Sequence, residues 1–400
     1  MRKLAILIVV MLIAQLSVAQ KGKVTGALSN VMSGTVDKAL PLIKDAEQEE
    51  TTKNWAKTHY VKGRVFQAIN DDQTGLYKKL DDKPLFNAWD GYMKALELDK
   101  ADPKGGKIRK QVLKQLSIKN PGDVSTPRES NIMRDALINM GIEGFNSKKF
   151  DNAIFAFESI LFIDALPEFN YFDTAIYYYA GIASLNLEQY DKSLGFFETS
   201  LKNNYEVAKC YKFKADIQKA KGDTLASVAT VKEGLGKNPD DFGLLIELVN
   251  YYLLKSESQK AIEFLDIAIS KDPTNHSLYF AKGVSYDLLK DAPNAIISYN
   301  KALEVNPTYF EAFFNLGAIY YNKGAAAIND AGLIPMGNTA AYDAKMEESK
   351  EFYRQAEPYF IKAHETNPKD KDALTNLREI YMKLKMYDKA KEVKDKIDSL

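Results

Sequence analysis

The 400-residue chain is poor in the residue types that most active-site chemistry uses. It holds one cysteine, Cys210, three histidines and two tryptophans. A single cysteine excludes an intramolecular disulfide in any redox compartment. His59, His276 and His364 stand far apart, outside any HExxH or paired His/Cys spacing, so no metal site is expected. The stretch "GLGKNP" lacks the upstream glycine and the following Ser/Thr of a phosphate cradle, and no G-x-S-x-G elbow occurs. Lys+Arg and Asp+Glu both number 54, which leaves no net charge to draw in nucleic acid or anionic lipid. Adjacent carboxylates such as Glu347–Glu348 and Asp240–Asp241 suit solvated helix surface or helix caps. These absences argue against catalysis, a cofactor and a nucleic-acid partner.

Long apolar runs are missing as well, with one exception. Arg2 and Lys3 precede an apolar stretch from Leu4 to Leu16, and small residues Ser17 and Ala19 follow. This is the layout of a secretory signal peptide over residues 1–19, cut after Ala19. The run is shorter than the roughly 20 residues a spanning helix needs, so cleavage is expected rather than anchoring. No cysteine follows it to carry a lipoprotein anchor. The expected setting is export to the periplasm or envelope of a Gram-negative bacterium, without membrane insertion after cleavage.

What the chain does contain is a period. Pro239, Pro273 and Pro307 stand 34 residues apart, each closing a similar phrase: "GLGKNPDD", "AISKDPTN", "ALEVNPTY". A fourth copy, "AHETNPKD", ends near Pro368, one period plus 27 residues further on. Such a period belongs to a helix-turn-helix module that must stack on its neighbours to bury its apolar face. With the proline as position 32, seven repeats begin at Arg134, Thr174, Ala208, Phe242, His276, Phe310 and Lys371. Position 8 is small in most (Gly141, Gly181, Ala215, Gly283, Gly317), and position 20 is Ala or Ser throughout. Position 24 is large: Phe157, Phe197, Tyr299 and Phe360. Small against large at fixed offsets is interdigitated helix packing.

These residues make the chain resemble the tetratricopeptide-repeat family over about residues 134–400. The clearest stretch is "FEAFFNLGAIYYNKG", with Leu316, Gly317 and Tyr320 at the family's positions. Departures are Tyr205 in place of the proline of the second repeat, six extra residues at 168–173, and Gly144 and Gln218 at position 11. The resemblance implies an all-α, right-handed superhelical solenoid of antiparallel helix pairs. It also implies that the first helix of each repeat lines an inner face at positions 2, 5, 9, 12 and 13. Here those positions include Tyr178, Ile182, Leu185, Lys212, Asp216, Ile246, Asn250, Leu253, Phe280, Asp287, Phe314 and Tyr321. An apolar, aromatic strip with a few polar groups suits a peptide or a partner helix; equally, such aromatics serve the array's own packing. The family's carboxylate clamp of paired Lys and Asn is absent, since Lys212 stands beside Asp216 and near Glu247.

Residues 20–117 read as a divergent helical region. Val36–Glu50 has Leu40, Ile43 and Ala46 on one face. Gly63 and Phe66 then stand where positions 8 and 11 would be, and Ala88, Tyr92, Ala95 and Leu96 where positions 20, 24, 27 and 28 would be. About thirteen residues are inserted between them. Lys107–Leu116 gives a further helix, and residues 118–133 ("KNPGDVSTPRES" and its flank) form a Pro/Gly/Ser-rich linker. In the sixth repeat an insertion at about 325–350 is expected to lengthen both helices around Gly332, Pro335 and Gly337; the plainer reading is added packing, the sharper one a projecting arm tipped by Ile334 and Met336. Three Asp-Ser/Thr-x triplets (at Asp173, Asp223 and Asp398) resemble an O-glycosylation sequon of exported bacterial proteins. Each suits a helix start better, and Thr224 is the best modification candidate.

The function expected from all this is a non-catalytic scaffold for protein or peptide partners in a bacterial envelope. A structural organiser acting through the outer face and the insertion, and a glycan-uptake accessory, are the alternatives.

Overall fold

The same short segment has to leave one helix and enter the next in every repeat, and the backbone solves this in one way. A computed structural model describes residues 18–100, 106–117 and 132–400. Residues 1–17 of the expected signal peptide and 118–131 of the expected linker lie outside the described residues. Among the described residues every regular element is helical. The chain divides into two compact units, one reaching to Glu206 and one covering Val207–Leu400.

The first unit holds α1 (18–32), α2 (Val36–Gln48), α3 (Ala56–Asn70), α4 (Pro84–Lys100), α5 (Lys107–Leu116), α6 (Met133–Asn146), α7 (Phe150–Asp164), α8 (Thr174–Asn186) and α9 (Tyr190–Lys202). The α3–α4 hairpin is closed by two glycines. A Cβ on Gly63 would stand 2.5 Å from the Tyr92 ring, and one on Gly91 would stand 2.6 Å from the Gly63 nitrogen. Only glycine lets these backbones meet around a buried ring. The thirteen inserted residues are pinned locally. The Asp72 carboxylate accepts from the backbone N–H of Thr74 (3.0 Å) and Tyr77 (2.6 Å), and a 3-10 turn covers Lys78–Leu80.

Ion pairs join the later helices of this unit. Asp99, near the end of α4, accepts from the N–H of Gly106 (3.1 Å) and Arg109 (2.9 Å) and so caps α5. Arg109 then forms a two-pronged pair with Glu168 (2.8 and 2.7 Å). Arg134, buried at the start of α6, does the same with buried Asp164 at the end of α7 (2.8 and 2.9 Å) and reaches Asp173, the N-cap of α8, at 3.4 Å. The extra residues between α7 and α8 are therefore held by arginines at both ends.

The second unit holds α10 (Val207–Ala220), α11 (Thr224–Lys237), α12 (Phe242–Leu254), α13 (Ser258–Lys271), α14 (His276–Leu288), α15 (Ala292–Val305), α16 (Phe310–Gly332), α17 (Thr339–Thr366), α18 (Lys371–Lys383) and α19 (Tyr387–Ser399). First helices start within a residue of the repeat starts read from the sequence. At the proline turns, the residue before Pro donates its N–H back to position 27: Asn238 to Gly234 (2.8 Å), Asp272 to Ala268 (2.9 Å), Asn306 to Ala302 (2.8 Å) and Asn367 to Ala363 (2.9 Å). Proline then forbids continuation. Asp241, Asn275 and Asp370 cap the next helix through Leu244, Ser277 and Ala373.

The turn inside each repeat is a Schellman stop. Position 15 is left-handed at Lys148 (φ 57°), Glu188 (58°), Gly222 (84°), Ser256 (56°), Lys290 (61°) and Lys385 (61°). In each case the next N–H returns to the position-11 carbonyl, for example Glu257 to Tyr252 and Asp291 to Tyr286, both 2.9 Å. The sixth repeat breaks this rule. Its position 15 is Gly324, and α16 runs straight through it. There α16 and α17 continue as a longer pair, repeating the glycine-on-ring contact one heptad out. Gly317 meets Phe360, and Gly324 meets Tyr353. Ser349 Oγ donates to the Gly324 carbonyl (2.8 Å), and Ala327 and Ala331 are buried. At the tip, Met336 is fully exposed and Leu333 is 83% exposed.

Candidate binding face

The first helices α10, α12, α14, α16 and α18 present positions 2, 5, 9, 12 and 13 within the second unit. Their aromatic members are seated by the second helices. Phe280 packs edge-on to Tyr309 (5.2 Å between ring centres) and tilts against Tyr299 (5.5 Å). Phe314 meets Phe360 edge-on (5.4 Å), and Tyr321 meets Tyr353 (5.3 Å). Each ring is half-buried, so one side is held and the other is free. Ile246 and Leu253 are also half-buried; Asn250, Asp287, Leu254 (81%) and Leu288 (54%) are exposed. These positions therefore carry partly exposed apolar side chains on α12, α14 and α16, with polar groups among them.

Charge sits at the ends of this set of helices. Lys212 Nζ pairs with Asp216 at 3.0 Å and with Glu247 of α12 at 3.6 Å. Burial works against the Lys212 ammonium, but these carboxylates outweigh it and hold its pKa above the ordinary value. At the other end, burial raises the Tyr321 phenol and the nearby Glu379 of α18 raises it further. Lys212 thus lies on the face already neutralised, consistent with the absence of a carboxylate clamp.

Two of the residues assigned to this face from sequence, Tyr178 and Ile182, belong to the first unit. Ile182 is half-buried, whereas Tyr178 is only 6% exposed. Its ring is packed edge-on to Phe197 (6.2 Å) and Tyr205 (5.7 Å). Tyr205 occupies the place of a turn proline, and its ring covers Tyr178, which therefore supports the core instead of offering a surface. The cavities lie elsewhere. One of about 610 Å³ opens between the α3–α4 loop and α6, lined by polar groups including Asn70, Asp71, Asn139, Glu143 and Asn152. Another of about 450 Å³ lies beside Trp89, Met93, Phe155 and Phe162. Asp173 and Asp223 of the Asp-Thr-x triplets cap α8 and α11, and Thr224 is exposed. Among the described residues there is no cluster of three metal-ligating side chains, and no helix is long and apolar enough to cross a membrane.

The repeated helix pair, its glycine-on-ring contact and its period find a counterpart among known families: a TPR repeat model matches residues 289–324, spanning the turn into α15 through most of the first helix of the next repeat. This stretch of the chain is a tetratricopeptide repeat. A TPR repeat-containing protein of Methanocaldococcus jannaschii is 44% identical over 69 residues, covering 17% of this chain and 12% of that protein. Anaphase-promoting complex subunit 3 of Schizosaccharomyces pombe is 26% identical over 149 residues, covering 37% of this chain and 18% of that protein. The chain thus spans less than a fifth of the length of either relative. Among solved structures, the C-terminal part of a TPR repeat-containing protein from Cytophaga hutchinsonii aligns with 66% of this chain and 94% of its own, at 17% identity and a TM-score of 0.49. The tetratricopeptide-repeat fold suggests protein–protein interaction.

Proposed function

We propose that this protein is an exported, non-catalytic scaffold that holds a protein or peptide partner on the first-helix face of its second unit. The observation that carries the reading is the set of half-buried Ile246, Leu253, Phe280, Phe314 and Tyr321, with exposed Leu254 and Leu288. Apolar side chains left partly exposed at the same positions of successive repeats suit contact with a partner. The rings are fixed from behind, so little side-chain entropy is lost when their free sides are covered. Export rests on the leader pattern of residues 1–19, and the envelope is the proposed setting.

The test is affinity capture from a detergent-solubilised envelope fraction, comparing wild type with a Phe280→Ser/Phe314→Ser double variant checked for helicity. A partner kept by wild type and lost by the variant supports the face; one kept by both removes it. N-terminal sequencing of the native protein tests export, with Gln20 the expected first residue. A second reading is favoured by one observation, the bare tip of the α16–α17 arm at Leu333 and Met336. There the protein organises a larger complex through its arm, and Leu333→Ser/Met336→Ser loses the partner instead.

A further inference from the structure

The residues inserted between α3 and α4 wall a cavity, and the structure assigns that cavity to a short, neutral saccharide. The site belongs wholly to the first unit. Gln73, Asp82 and Lys83 of the insertion stand on one side of the cavity of about 610 Å³, and α6 with the start of α7 stands on the other. The insertion is held at three points. Asp72 fixes its turn through Thr74 and Tyr77. The Tyr77 hydroxyl donates to the Gly34 carbonyl between α1 and α2 (2.6 Å). The Asp81 carboxylate accepts from the Lys83 N–H and the Asn87 side-chain amide (both 2.9 Å), which ties the insertion to the start of α4. A wall pinned in this way is formed before any ligand arrives, so little ordering cost is left to binding. The volume falls within the roughly 300–1,000 Å³ of small-molecule sites.

The lining selects the class of ligand. Among the described residues it holds four side-chain amides, four carboxylates, two lysines and no arginine. The surplus of negative charge disfavours a phosphorylated or carboxylate ligand. A lipid tail would strip water from these groups without replacing their hydrogen bonds. Asn139, Glu143 and Asn152 make no side-chain hydrogen bond among the described residues, so their donors and acceptors are uncommitted. A carboxylate only accepts, whereas an amide accepts and donates. An amine would use the acceptors and leave the amide N–H groups unpaired. Adjacent hydroxyls donate and accept at once and match the whole set. Phe86 and Met140 add an apolar patch for the C–H face of a sugar ring, and Phe86 is backed by Phe155 with ring centres 4.1 Å apart. The Lys83 ammonium, 5.9 Å over the Phe86 ring, belongs to an exposed side chain without an ion pair and is displaceable.

The experiment titrates the full chain calorimetrically with maltotriose, cellotriose, xylotriose and chitotriose, and with spermidine and inorganic phosphate as charged probes. At least one neutral trisaccharide should bind saturably, with an affinity that salt leaves unchanged. Asn139→Ala/Asn152→Ala removes two uncommitted amides from helix positions that accept alanine. It should weaken binding by about tenfold, as the loss of two hydrogen bonds supplies, with the thermal melt unchanged. Phe280→Ser, in the second unit, should leave saccharide binding intact. Equal binding by the double variant overturns the site. Saturable binding of spermidine or phosphate in place of the saccharides overturns the ligand class, and no saturable binding by any trisaccharide overturns the proposal while leaving the first-helix face of the second unit untouched.

Discussion

The α3–α4 hairpin and the α14–α15 repeat share one joint and differ in how they reach their neighbours. In both, a glycine lets a tyrosine ring lie against the opposing helix, Gly63 on Tyr92 and Gly283 on Tyr299, with a Cβ excluded at 2.5 Å in each. In α14–α15 the way in and the way out are turns of a few residues set by Asp/Asn caps and proline. In the first unit the connection from α7 to α8 is long, and arginines do the work of a turn: Arg109 with Glu168, Arg134 with Asp164 and Asp173. A helical hairpin is therefore conserved as a contact, not as a sequence period. Its register against the next hairpin is supplied by a short turn or, where the chain is long, by paired charge.

The sharpest way to break this contrast is Arg134→Leu. It leaves the Asp164 carboxylate buried without its partner, at a cost of about 4 kcal/mol. Burial already raises the Asp164 pKa, despite the opposing hydrogen bonds from Arg134. A carboxyl with a raised folded-state pKa favours folding below its unfolded pKa and loses that contribution as pH rises through the folded value. The gap between variant and wild type should therefore widen from acid to neutral pH in urea titrations. Gly63→Ala and Gly283→Ala should each cost about 2 kcal/mol, because the overpacking outweighs the roughly 1 kcal/mol that alanine gains in a helix. A neutral or stabilising Gly63→Ala would show that the two joints are not alike.

Alkaline pH offers a further test. Burial, with a hydrogen bond to Glu233, pushes the Tyr211 phenol up to about 12, and burial raises those of Tyr299 and Tyr381 too. A raised phenol pKa means a contribution that is full below about pH 10 and lost above it, by pH 12 for Tyr211. Tyrosinate absorbance and helical ellipticity should change together in that window. The smallest effect belongs to the turns. Ser256→Gly, Lys290→Gly and Lys385→Gly should each stabilise by about 0.5 kcal/mol, as relief of the left-handed backbone exceeds the entropy that glycine adds to the unfolded chain. Thermal melts of single variants measure it, and Glu188→Gly tests whether the first unit behaves likewise.

Much of this was legible in the sequence because packing writes itself in residue size. Prolines 34 apart located the turns, and glycine at position 8 with a ring at position 24 located the close contacts, even at Gly63 and Tyr92 where the period fails. The Schellman stops were not legible. Position 15 is Lys, Glu or Ser in all but one of the repeats that stop there, since the stop is made by backbone N–H and C=O groups and asks nothing of the side chain but tolerance. The Arg134–Asp164 pair was hidden by its 30-residue separation; its one trace is an acid inside the apolar run "ILFIDALP". On the face, the apolar and charged characters were legible, but exposure was not. Tyr178 and Phe280 share position 5, and only the fold shows that Tyr205 closes over one while the other stays open.

The placement of the two tryptophans turns the two-unit division into something that can be watched. Trp55 and Trp89 both belong to the first unit, and Trp89 is wedged edge-on against Phe155 and Phe162 beside the α3–α4 hairpin. The second unit has tyrosines and no indole. Indole emission is thus a private signal of the half whose helices are clamped by arginines, while helical ellipticity reports both halves. In one unlabelled sample, coincident transitions by the two signals mean that the halves melt as one cooperative body. Separated transitions give each half its own stability.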